Sequence, residues 1–127
     1  MPNVAGQAEL VFKTAWFSKA AKKAHIPDIE LCAAIRQVML GQADDLGGGV
    51  FKKRLGRNLY RSIIVAQGGR FWVYAYLFAK QDRANIDDRQ LADLRTVAAA
   101  YASLTPGELG ELLQDRRWVE ICDGGER

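Results

Sequence analysis

The chain has 127 residues, 49% apolar and 26% charged, with a formal net charge of +3. That length supports one domain, spanning 1–127, with a core of its own, and the composition is that of an ordinary globular protein rather than a disordered or collagen-like one. No apolar run approaches the roughly 20 residues that a bilayer span needs, and the opening MPNVAGQAELVF lacks the basic segment and long apolar stretch of a secretory signal, so a cytoplasmic protein with no membrane partner is expected.

The first strand is expected at ELVFKT, Glu9 to Thr14. AWFSKAAKKAH then places Trp16, Ala20 and Ala24 at helical spacing with lysines opposite, and Leu31, Ile35 and Val38 form the stripe of a second helix that starts near Asp28 and ends near Gly41. Pro27 suits the first turn of that helix, which makes the pair an αα-hairpin turned at HIPD. Cys32 lies among these apolar positions and reads as a buried thiol. Cys122, near the tail, reads as idle, because two cysteines are too few for a disulfide framework and have no metal-ligand spacing.

Gly47, Gly48 and Gly49 break the chain. Three strand candidates follow, VFKKRL, YRSIIVAQ and RFWVYAYLFAK, rich in β-branched and aromatic residues and joined by GRNL and QGG. The third is almost wholly apolar, as a strand buried on both faces should be. Helical pattern returns with a capping box at Asp87 and Gln90 and a stripe of Leu91, Leu94, Ala98 and Tyr101. A second start signal combines Thr105, Pro106 and Glu108. RRWVEI is either a last strand or an extended tail. Hairpin-linked strands with segregated helices imply an α+β fold with a small antiparallel sheet.

Charge is unevenly spread. Leu46 to Gln81 holds seven cations (Lys52, Lys53, Arg54, Arg57, Arg61, Arg70, Lys80) and no acid, while the other ninety-one residues carry eleven bases and fifteen acids, a balance of −4. Such segregation suggests a polyanion-binding face if the fold displays the cations together. Alternation along a strand puts Lys52 and Arg54 on one face with Val50, and Lys53 on the other with Phe51 and Leu55. Arg61 shares its side with Ile63 and Val65, and a register placing it opposite Arg54 or Lys52 would bring three cations to one patch. Like charges directly opposite destabilise a strand pair, and an anion between them would reverse the penalty. Lysines that blunt an exposed edge are the simpler account of Lys52 and Lys53. They do not account for Arg61, which opens an internal run. Lys80 and Arg83, at the end of the apolar run, are either solvated strand ends or ligand contacts. Tyr60, beside the cations, is the aromatic best placed to stack on a base. Tyr101 reads as core and His25 as structural or solvent-facing.

FKTAWFSKAAKKAHI, DLGGGVFKKRL, YRSIIV, WVYAYLFAKQDRANID and LTPGELGELL, in that order, resemble the RelE/HigB-like toxins of bacterial type II toxin–antitoxin systems from Phe12 to about Ile121. The resemblance implies two N-terminal helices packed on a twisted antiparallel sheet with C-terminal helices beyond. It implies an endoribonuclease that cleaves mRNA, often on the ribosome, and so inhibits translation. It also implies a cognate antitoxin, usually a small helix-turn-helix protein, through which the complex reaches operator DNA. Carried onto this chain, the family's catalytic positions fall on Lys52, Arg54, Arg61 and Lys80, with Lys52 for proton transfer, the arginines for phosphate stabilisation and Lys80 for the RNA backbone. Lys53, Arg57, Tyr60 and Arg83 are the expected RNA contacts. Gln81 stands where many relatives have an arginine, GRNL is shorter than their glycine- and lysine-rich loop, and no tyrosine or histidine acid is evident near the C-terminal end. No ligand cluster for a metal and no cofactor motif is present, so neither is expected. A non-catalytic toxin-fold protein that binds an acidic antitoxin segment is the main alternative. The gyrase-inhibiting toxin type fits less well, since it lacks the basic set.

Overall fold

The computed structural model describes residues 10–67, 70–83 and 85–122. Glu9, Gly68 and Gly69 of the expected first strand and third-hairpin turn lie outside them. The elements run β1 (Leu10–Thr14), α1 (Ala15–Lys23), α2 (Asp28–Met39), β2 (Asp44–Gly47), β3 (Val50–Leu55), β4 (Tyr60–Gln67), β5 (Phe71–Ala79), α3 (Asp88–Ala102), α4 (Pro106–Gln114) and β6 (Trp118–Ile121). The α+β expectation holds.

The six strands form one sheet in the order β2-β3-β4-β5-β1-β6. β2 to β5 make an antiparallel meander. The sheet is nonetheless mixed, because β1 runs parallel to β5, with Leu10 opposite Phe71 and Lys13 opposite Tyr74. Tight turns dictate direction only between strands that are neighbours in the chain, and β1 is inserted from a distance. β5 sits inside the sheet and is buried on both faces as its composition requires, with Val73 and Tyr74 fully inaccessible.

α1 and α2 cover one face. Phe17, Ala21, Leu31, Ala34, Ile35 and Val38 pack there on Leu55, Ile64, Tyr74 and Leu77. The Tyr74 hydroxyl donates to the Leu31 carbonyl at 2.7 Å, so the one polar atom of that ring is paired inside the core. α3 and α4 cover the other face: Leu91 and Leu94 lie over Val50, Ile63 and Phe78, and Leu109, Leu112 and Leu113 over Phe12, Phe71, Val73 and Trp118. Both expected capping boxes form, Asp87 with Gln90 and Thr105 with Glu108.

Three further expectations fail. The buried side of α1 is Phe17 and Ala21, not the Trp16 stripe, and Trp16 is 51% exposed. The acidic-to-glycine stretch taken as punctuation contains the short edge strand β2, which pairs Asp44 with Lys52. Cys32 is not a buried thiol and Cys122 is not idle. The two form a disulfide across 90 residues, with Cα atoms 5.4 Å apart, because β6 returns the chain end to the face covered by α2.

Candidate functional site

The cations are placed by a tight turn. Between β3 and β4, Gly56, Arg57 and Asn58 take φ values of 60°, 55° and 70° in succession. The left-handed region is cheap for glycine and tolerable for asparagine, but uncommon for a residue such as arginine. One external and one internal bond hold the turn: the Gly56 N–H donates to Glu30 Oε2 of α2 at 2.6 Å, and the Leu59 N–H to the Gly56 carbonyl at 3.0 Å. The resulting register sets Arg54 directly opposite Arg61, Lys52 opposite Ile63 and Lys53 opposite Ser62. Strand alternation then sends Lys52, Arg54 and Arg61 to one side.

Lys53, on the other side of the pleat, still joins them. β2 ends its pairing at Lys52, so beyond that residue β3 has no partner strand on this side among the described residues. The linker before β2 passes beside it, and Lys53 Nζ donates to the Gln42 carbonyl at 2.9 Å. A pocket of about 230 Å³ results, lined by Gln42, Ala43, Asp44, Lys52, Lys53, Arg54 and Arg61. Four cations face one carboxylate.

Their partners differ. Lys52 Nζ lies 3.7 Å from Asp44 Oδ2, a long contact to a carboxylate that is 70% exposed, and such surface pairs hold a charge weakly. Arg61 turns one nitrogen, Nη1, to the Asn58 and Tyr60 carbonyls, each at 3.1 Å, and no carboxylate lies at ion-pair distance from it among the described residues. Arg54 is exposed, with no carboxylate at ion-pair distance among the described residues. Partial burial, and secondarily the positive charge of Arg54, lower the pKa of Lys53 below the usual lysine value. Lys53, which the resemblance places among the RNA contacts, thus stands in the same pocket as Lys52.

The remaining expected residues stand apart from this pocket. Lys80 is exposed in the turn after β5, where its N–H donates to the Leu59 carbonyl at 2.9 Å. It lines a neighbouring groove with Leu59, Tyr60, Ala79 and Gln81. Arg57 is exposed on the turn itself. Arg83 is occupied: it donates to the Asn85 carbonyl at 3.0 Å and to Gln90 Oε1 at 2.5 Å, and its guanidinium lies 5.6 Å from the Phe78 ring centre. These contacts tie the end of β5 to α3. Tyr101 is core, 4.9 Å from the Trp118 ring, and burial raises its hydroxyl pKa. His25 is exposed in the turn between α1 and α2. Gln42 and Asp44 escaped the sequence reading, since only the pairing of β2 with β3 brings them to the cations.

A protein-family model described as the RelE toxin of the RelE / RelB toxin-antitoxin system matches residues 9–121. No curated protein matches the chain. The matched region takes in the whole sheet from β1 to β6, all four helices and every residue of the cationic pocket. The chain belongs to the RelE toxin family, and it is the toxin of a toxin–antitoxin system with an antitoxin as its partner.

Proposed function

We propose that this toxin is an endoribonuclease that inhibits translation by cutting mRNA in the cytoplasm, on the ribosome or free of it. The observation that carries the reading is the direct opposition of Arg54 and Arg61 in a pocket that also holds Lys52 and Lys53. In RNA scission the 2′-oxygen attacks the adjacent phosphorus, and the bond to the 5′-oxygen of the next nucleotide breaks. A 2′,3′-cyclic phosphate and a free 5′-hydroxyl result. Negative charge grows on the non-bridging oxygens meanwhile, and fixed cations that meet it there lower the barrier. Arg54 and Arg61 take that role. Lys53, with its depressed pKa, accepts the 2′-hydroxyl proton. Lys52 returns a proton to the leaving 5′-oxygen, so protons balance over the step. Lys80, Arg57 and Tyr60 lie outside the pocket and serve the flanking strand, while Arg83 acts chiefly by fixing the β5–α3 link.

A second reading keeps the binding and drops the chemistry. It draws on the engagement of three cations by their own chain, Lys52 with Asp44, Lys53 with the Gln42 carbonyl and Arg61 with two turn carbonyls. In that case the pocket serves an acidic segment of the antitoxin, a small helix-turn-helix protein that carries the complex to operator DNA. Inducible expression with mapping of RNA 5′-ends separates the two. The nuclease reading expects growth arrest with new 5′-hydroxyl ends, both lost in Arg61→Ala. Arrest without new ends, or ends that persist in Arg61→Ala, rejects it. Repeating the assay with purified protein on naked RNA and on translating ribosomes decides where cleavage occurs.

A further inference from the structure

α1 carries a second apolar stripe that the core uses only in part: Ala20 and Ala24 are half-buried against it, while Trp16 stands outside. Trp16, Ala20 and Ala24 recur at helical spacing, yet the helix buries Phe17 and Ala21, rotated by one residue. The stripe also lines a groove of about 490 Å³, together with Tyr60, Tyr76 and Phe78. Trp16 lies against Tyr76 with ring centres 5.1 Å apart and planes 25° from parallel. One face of the indole is thus covered while the side chain remains half exposed. The groove runs on into the one that holds Lys80, since both are lined by Tyr60, Ala79 and Gln81. Lys23 and Lys80 stand along the combined groove, with the already bonded Arg83 and one carboxylate, Asp82.

We propose that this groove is a nucleobase subsite, in which a base flanking the scissile phosphate stacks on Trp16. The inference deepens the nuclease reading and rests on it for the identity of the ligand as RNA. A flat aromatic platform, already stacked and so largely pre-ordered, suits any base through its π-face, and cations beside it suit the phosphates on either side. Gln81, whose amide both donates and accepts, stands at the junction of the two grooves, able to pair with a base edge. Tyr60 links this groove to the cationic pocket, because it directly precedes Arg61 and strand alternation sends the two side chains to opposite faces of β4. A strand bound in both places would pass around the end of the sheet near the β3–β4 turn.

The test measures binding of an uncleavable 2′-O-methyl hexanucleotide to the full-length protein by anisotropy, beside an abasic oligomer of the same length. Trp16→Ala is expected to weaken the hexanucleotide roughly tenfold, within the range found when a single base loses its aromatic platform, with little change for the abasic oligomer. Trp16→Phe restores most of the affinity, and circular dichroism checks that each variant is folded. Equal affinity in Trp16→Ala, or equal weakening of both oligomers, overturns the subsite. Should the surface serve a protein partner, the hexanucleotide affinity is unchanged, which also overturns it. The outcome is independent of cleavage: Trp16-dependent binding without any cleavage removes the nuclease reading alone, whereas cleavage with Trp16-independent binding removes the subsite alone.

Discussion

Arg54 and Arg61 occupy directly opposed positions on paired strands, where like charges cost stability. A sequence selected for folding alone would place an acid or a threonine at one of them. Replacing Arg54, the more exposed of the two, should therefore separate stability from function. Arg54→Gln is expected to raise the unfolding free energy by about 0.2–1 kcal/mol, the usual scale of a cross-strand pair. The same change should lower cleavage by roughly 10²–10³, the loss typical of one well-placed charge-stabilising donor. Denaturant melts and single-turnover cleavage on the same preparation check both, and a variant that is destabilised while still active contradicts the assignment. Lys53 gives a prediction in pH. Burial and Arg54 lower its pKa, and a base must be unprotonated to act. The rate should then climb with pH and level off once pH exceeds the depressed value, below the plateau expected of an ordinary lysine. Lys53→Arg keeps the charge but cannot supply a neutral amine near neutrality, so it should lose activity at all accessible pH values while retaining RNA affinity. Arg54→Gln removes one cause of the shift and should move the rising limb to higher pH.

Elements differ in how far the sequence reveals them. The pleat of β3 and β4 was legible because alternation follows from strand geometry alone, and GRNL then allowed a register that joined Arg54 to Arg61. The caps of α3 and α4 were legible because Asp87, Gln90, Thr105 and Glu108 act within one turn. Three features depend on contacts remote in the chain and were not legible. α1 offers two apolar stripes one residue apart, and it is Phe17 rather than Trp16 that enters the core, where it meets Tyr74, 5.0 Å away between ring centres. The parallel direction of β1 and the edge pairing of β2 likewise have no local cause. The glycine run lies between these cases: its turn was foreseen, its tolerance was not. All three glycines have positive φ, and at Gly49, φ 86°, an added Cβ would lie 2.9 Å from the Ala66 carbonyl oxygen, which is backbone and cannot move aside. Gly48 faces the Arg95 side chain instead, whose guanidinium donates to the Leu46 and Gly47 carbonyls. Gly49→Ala should thus cost more than Gly48→Ala, about 2–4 kcal/mol against about 1–2 kcal/mol, since both carry left-handed strain but only one meets an immovable atom. Chemical denaturation ranks the two, and the reverse order would show that Arg95, not the β4 backbone, sets the turn.

Over the whole molecule the cationic pocket and the disulfide lie far apart in the sheet order. The pocket forms where β3 and β4 pair, whereas Cys122 directly follows β6, the strand at the other edge. β6 is short and, among the described residues, pairs only with β1, so the Cys32–Cys122 bond helps to anchor it. A link across 90 residues removes a large loop from the unfolded ensemble, worth about 4–5 kcal/mol by loop-closure entropy. This is comparable with the total stability of many domains. In a reducing compartment, where most thiols are kept reduced, the less stable dithiol form is expected. Protein purified without reductant should show no reactive thiols in denaturant, and two after reduction. Reduction should lower Tm by roughly 10–25 °C at this chain length. Cys32→Ser should match the reduced protein and ignore reductant. At temperatures where both forms are folded, cleavage should be the same in each, because the pocket residues belong to β2, β3, β4 and the linker before β2, none of which pairs with β6 among the described residues. A Tm indifferent to reductant would mean that β6 is held by Trp118 and Ile121 in the two cores without the bond. A fall in cleavage without unfolding would instead mean that the cross-link reaches the pocket through α2, whose Glu30 holds the turn at Gly56.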